Sequence, residues 1–161
     1  MKIKAFITAI SFLLLFPSLG FAKTELVMQK EILNYSGYGI GDQACMELII
    51  IKEGRNVPDM RKELCGLGEG KYTATLSGPP GTTVTFFGRD NFKKGNGFLT
   101  IKKKDDQKLW LWDLTAFPAG QWHFSEATDK SGAFEAFYNA SPMFEQQVLS
   151  IKWGENMDEG S

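Results

Sequence analysis

The sequence predicts an all-β fold, an antiparallel sandwich or small barrel, and three observations carry that prediction. Glycine and proline clusters punctuate the chain at short intervals, among them Gly78-Pro79-Pro80-Gly81, Gly95-Asn96-Gly97 and Pro118-Ala119-Gly120. Between them lie short runs rich in β-branched and aromatic residues, of strand length rather than helix length. Several of these runs alternate, as Lys71 to Leu76 and Thr82 to Phe87 do, so that successive side chains point to opposite faces. Many short strands between turn signals make a sandwich or a barrel.

The elements follow in order. Lys2 and Lys4 open a positive segment, an apolar run from Ala5 to Phe16 follows, and Gly20 and Ala22 place small residues at a cleavage site. This is the pattern of an export signal over 1–22, its apolar core shorter than the roughly 20 residues a membrane span needs. Strands are expected near 24–31, 45–52, 71–77, 82–88, 97–103, 108–114, 121–125, 133–138 and 147–153, in one β domain over 23–153. Only 58–65 has the composition for a helical turn or two. The Asn96-Gly97 pair favours a tight type I′ turn, which would bring residues near 92 and 100 opposite each other. The acidic tail 154–161 lacks bulk and is expected to fray.

Composition excludes several functions. The chain carries 18 Lys+Arg against 19 Asp+Glu. Removing Lys2 and Lys4 leaves 16 against 19, a net charge of about −3, with no basic surplus for phosphates. Export also changes the reading of Cys45 and Cys65. In an oxidising compartment an even pair favours a disulfide over a reactive thiol or metal ligand. Its loop of about 20 residues would contribute roughly 3 kcal/mol.

The stretch from Ser77 through Gly78-Pro79-Pro80-Gly81 and Phe86-Phe87-Gly88-Arg89-Asp90-Asn91-Phe92 to Gly95 resembles the βγ-crystallin Greek-key motif. In that motif a Pro-Pro-Gly turn leads into an aromatic strand and then an Asn-Phe-x-Gly bend. The resemblance covers mainly 77–101 and implies a Greek-key arrangement. A looser copy over 133–153 pairs Phe98 to Lys102 with Val148 to Lys152. Two departures stand out: Lys94 is inserted before Gly95, and no glycine follows Phe144. Family members often bind calcium, but the nearest acidic match, Asp105-Asp106, runs into apolar residues, so no metal or other cofactor is expected. Some small secreted proteinase inhibitors share the architecture, which keeps inhibition in view.

The candidate chemistry is sparse. Gly66 to Lys71 has three residues between the first glycine and Gly-Lys where a phosphate loop needs four, and Tyr72 stands where Ser or Thr would. The single histidine, His123, has no nucleophile motif beside it. The carboxylates Asp105, Asp106, Asp113, Glu126, Asp129 and Glu135 suffice for an acid–base pair beside sugar-stacking tryptophans, yet charged residues are the ordinary solvent face. No catalytic residue is assigned.

The tryptophans are more informative. On a strand Trp110 and Trp112 share one face and Leu109 and Leu111 the other. Either both faces are covered, or the leucines are core and two indoles stand outside as a binding surface. The expected function is an exported module that binds a protein partner, such as a protease or cell-wall hydrolase, as an inhibitor or immunity-type protein. Its expected contacts are Trp110, Trp112, Trp122 and the bend Arg89, Asp90, Asn91 and Phe92. The alternative is a small glycan-binding or glycan-hydrolysing protein.

Overall fold

The computed structural model of the chain describes residues 23–32, 48–63 and 70–154. Two antiparallel sheets face each other, as the composition predicts. The strands are β1 (Glu25–Ile32), β2 (Leu48–Lys52), β3 (Gly70–Ser77), β4 (Thr83–Phe87), β5 (Phe98–Lys103), β6 (Leu109–Leu111), β7 (Trp122–Ser125), β8 (Phe134–Asn139) and β9 (Ser150–Trp153). One sheet has the order β2-β1-β3-β6, the other β7-β8-β5-β4-β9. All nine fall where the punctuation places them. The signal segment 1–22, Cys45, Cys65, most of the Gly66–Gly70 loop and the tail after Gly154 lie outside the described residues.

Side-chain alternation builds the core. Leu26 and Met28 of β1, Ile49 and Ile51 of β2, Ala74 and Leu76 of β3, and Leu109 and Leu111 of β6 all turn inward. Val84, Phe86, Leu99, Ile101, Ala136 and Ile151 meet them from the second sheet. Burying a Leu, Ile or Phe side chain gains about 1.5–3 kcal/mol each, and this seam holds the sheets together. The edge of β9 is covered by an upstream segment: Val57 and Ile151 exchange backbone bonds at 2.8 and 2.9 Å, and Met60 N–H donates to Leu149. A short 3-10 turn at Met60–Lys62 occupies the stretch expected to hold a helical turn.

Two expectations need correction. The β4–β5 hairpin pairs Phe87 with Phe98 and Thr85 with Thr100, so Asn96-Gly97 does not form the two-residue turn. Residues 88–97 instead fold into a ten-residue bend closed by Gly88 N–H donating to the Gly97 carbonyl at 3.0 Å. Gly88 permits this closure because a Cβ there would lie 2.1 Å from the Asn96 carbonyl oxygen. Packing across the sheet sets the register, overriding the local preference of the Asn-Gly pair.

The second correction concerns 133–153, read as a loose repeat of the first hairpin. Here β8 and β9 are not neighbours but flank the β4–β5 hairpin, and the helix α1 (Pro142–Gln146) joins them. Ser141 caps α1 through its hydroxyl and Pro142 opens it, a start signal present in the sequence. Within the second sheet the order β8-β5-β4-β9 returns the last strand to the side of the first, with β5 reaching β8 through β6 and β7.

Candidate functional site

Strand β6 decides how the tryptophans are presented. Leu109 and Leu111 are buried at 0% and 3% exposure, while Trp110 and Trp112 stand 41% and 68% exposed. Among the described residues only one flank of this three-residue strand has a strand partner, β3. On the other flank Ser131 closes the backbone: Trp110 N–H donates to its hydroxyl oxygen at 3.0 Å, and that hydroxyl reaches back to the Trp110 carbonyl at 3.5 Å. The leucines anchor the strand inward, so the indoles must project outward.

Those indoles border a built surface. Across the first sheet, Ile50 pairs with Val27, Val27 with Thr75, and Thr75 with Trp110, so the four form one outward row. The next row aligns Leu48, Gln29 and Thr73. Leu48 and Ile50 are exposed at one side, and Val27, Gln29, Thr73 and Thr75 form the floor between them and the tryptophans. The result is a groove of about 300 Å³ between Leu48 and the indole pair. Trp110 and Trp112 stack on each other, ring centroids 5.5 Å apart and planes 20° from parallel, which fixes both rings. Lys108 Nζ sits 6.0 Å from the Trp110 ring centroid and adds a positive rim.

The other predicted contacts lie on the second sheet. Trp122 on β7 pairs with Phe137 on β8, its ring 5.5 Å away. From there an aromatic series runs through Phe98 and Phe87 to Phe92 at spacings of 5.9, 6.4 and 6.1 Å. Trp122 and Phe124 are its exposed end. The 89–92 bend is tied down internally. Asn91 N–H donates to Pro58, Phe92 N–H to Ser150 Oγ, and Ser150 Oγ–H to the Arg89 carbonyl. Asp90 accepts from Arg61, which also makes two bonds to Asp59. Those bonds hold the Asp59 carboxyl below its usual pKa. The expected contacts therefore divide between the two sheets: Trp110 and Trp112 on one, Trp122 and the bend on the other.

The remaining candidates separate too. Asp105 is a structural acceptor, taking Ala133 N–H at 2.6 Å and Gln107 N–H at 3.1 Å. Beside it Lys103 is fully buried and donates to the Gln107 carbonyl; burial lowers its pKa against the opposing pull of Asp105 and Asp106. His123 is exposed, 6.5 Å from the Phe117 ring. Asp113 accepts both the backbone N–H and the hydroxyl of Thr115, at 2.8 and 2.6 Å. It faces a pocket at the end closed by α1, whereas Glu126 follows β7 at the end where β8 begins. Among the described residues no three His, Cys, Asp or Glu side chains are grouped to hold a metal, and no helix is long and apolar enough to cross a membrane.

The sequence concealed part of the groove. Leu48-Ile49-Ile50-Ile51 is apolar throughout, so its alternation between core and surface does not show in the residue types. Val27 and Thr75 join Trp110 only through strand order. Set against known proteins, the chain matches no protein-family model, no curated protein and no solved structure.

Proposed function

We propose that the protein is an exported binding module that docks a protein partner on the outward face of its first sheet. The observation that carries this reading is the stacked, exposed Trp110–Trp112 pair, held outward by buried leucines at the rim of an apolar groove. Stacked indoles that are already ordered give up little entropy on binding, and tryptophans dominate the energetics of protein interfaces. The export signal pattern read over 1–22 supports a partner met in the periplasm or the medium. A protease or cell-wall hydrolase is the class of partner proposed, with inhibition or immunity as the outcome.

The crystallin resemblance belongs to the same proposal. Its support is the folded bend, in which Asn91 and Phe92 take φ of 54° and 61° and Phe92 packs edge-on against Phe87. A Greek-key relationship is the finer reading of that bend and of the strand order around it. The glycan reading relies on the same indoles. Against hydrolysis, the carboxylate next in sequence to Trp112, Asp113, turns towards the α1 end and not into the groove.

The test is capture with a paired control. Residues 23–161 are immobilised beside the Trp110→Ala/Trp112→Ala double variant and exposed to envelope extract and culture fluid. A protein retained near one-to-one by the parent and lost by the variant supports docking on this face. Equal retention by both, or retention of glycan alone, overturns it.

A further inference from the structure

A second interaction surface lies at the β7 end of the second sheet, away from the indole groove. β7 pairs with β8 on one side, and among the described residues no strand pairs with it on the other. Trp122 and Phe124 point outward and are 41% and 53% exposed, and His123 on the opposite face is exposed too. A strand exposed on both faces overhangs the sandwich, so a neighbour laid beside it has room above and below. Such an edge presents a row of backbone donors and acceptors, and proteins ordinarily blunt it with charge or with a covering segment. The opposite end of this sheet is covered, because Val57 bonds to Ile151 of β9. At β7 the stretch 117–125 holds no Lys, Arg, Asp or Glu. Instead Trp122 and Phe124 extend the outward aromatic surface, with Trp122 5.5 Å from Phe137.

Charge and symmetry select the occupant. A stretch without formal charge gives a partner chosen by charge nothing to read, and it does not repel its own copy. An antiparallel pair of identical strands is two-fold symmetric, and in its ladder a residue pointing to the partner strand faces one that points back. Two copies of β7 therefore pair about a residue and never between two residues. Centred on His123, the pairing sets Trp122 opposite Phe124 of the second copy, twice, on one face. Centred on Phe124 it sets Trp122 opposite Glu126, and centred on Trp122 it sets Phe124 opposite Gly120. Directly opposed aromatic pairs are among the stabilising cross-strand contacts, so the first register is favoured. We propose that two copies of the protein join β7 to β7, antiparallel about His123, making their second sheets one continuous sheet. The four aromatic side chains would bury roughly 400 Å², against roughly 1,200 Å² for a small stable interface, so the dimer is weak, with a Kd on the order of 0.1 mM. The proposal does not rest on the indole groove.

The test is sedimentation equilibrium of the purified protein at concentrations from about 10 μM to about 1 mM, a range that brackets this constant. A reversible monomer–dimer equilibrium is expected. Trp122→Glu and Phe124→Lys should each weaken it about tenfold or more. The double variant Trp122→Glu/Phe124→Lys sets a carboxylate opposite an ammonium twice and should recover most of the loss, which no other register allows. Trp110→Ala/Trp112→Ala should leave the equilibrium unchanged, separating this surface from the groove. A second readout needs no variant: on dilution the NMR signals of the 121–125 amides should move, and those of Val27, Thr75 and Trp110 should not. That readout decides should a variant fail to fold. A monomer at every concentration would leave the edge to a foreign strand and overturn the proposal. So would a dimer indifferent to both single changes, one lost only with Trp110→Ala/Trp112→Ala, or no recovery in the folded double variant.

Discussion

The two sheets obey the same alternation, yet their outward faces end differently. On the second sheet the outward row Trp122, Phe137, Thr100, Thr85 and Lys152 is filled at its centre, with Trp122 exposed at one end. Thr85 and Thr100 are buried and share a hydroxyl contact at 3.1 Å, and Phe87 beside them is 1% exposed. Lys94 and Lys152 lay their ammonium groups over Phe98 and Phe92, their stems covering apolar surface. On the first sheet the matching row, Ile50, Val27, Thr75 and Trp110, has large residues only at its rims. The lesson is that alternation decides which side chains face outward, while the size of their neighbours decides whether that face remains available.

Substitutions can break this comparison. The largest effect is expected at Phe87, which points outward and yet is buried: Phe87→Ala should cost about 3–5 kcal/mol in denaturant unfolding. Trp112→Ala, equally outward but exposed, should stay within about 0.5 kcal/mol. Similar losses at both positions would erase the distinction between the faces. Next comes Gly88→Ala, whose new methyl group meets the Asn96 carbonyl; overpacking of this kind costs about 1–3 kcal/mol and should show as a lowered melting temperature.

Smaller effects sharpen the picture by pH. Lys103 has a lowered native pKa, so the unfolded chain holds its proton longer. Stability should therefore rise with pH between that lowered value and the ordinary 10.5, and Lys103→Met should flatten the rise. Tyr72 and Tyr138 have raised values, chiefly through burial, so the native state keeps protons that the unfolded state loses above pH 10.0. Stability should fall there, less steeply in Tyr138→Phe. Asp59 works in the acid range: its lowered pKa gives support that is present above pH 3.8 and lost as the carboxyl protonates. Arg61→Ala should remove that acid dependence, which urea midpoints at several pH values would show.

The fold was legible because strands and turns are local. Punctuation placed all nine strands, and the Leu109-Trp110-Leu111-Trp112 alternation offered the outward indoles as one of two readings. The bend was misread because Asn96-Gly97 signals a tight turn whose register the buried Phe87–Phe98 pair overrules. Helix α1 was missed although Ser141-Pro142 announces its start, since five residues hold too little periodicity to register. The end pocket was not legible at all. Tyr72, Asp113 and Glu145 share no motif, and only the packing of α1 beside the first sheet brings them together.

The central claim is that the first sheet, not the second, is the binding face. The most direct measurement is the dissociation constant of the captured partner for two sets of single variants. One set is Trp110→Ala, Trp112→Ala and Ile50→Ala; the other is Trp122→Ala and Phe124→Ala. The account predicts losses of about tenfold or more in the first set, as for interface anchors, and little change in the second. Losses confined to the Trp122 and Phe124 variants would contradict it and transfer the binding surface to the second sheet.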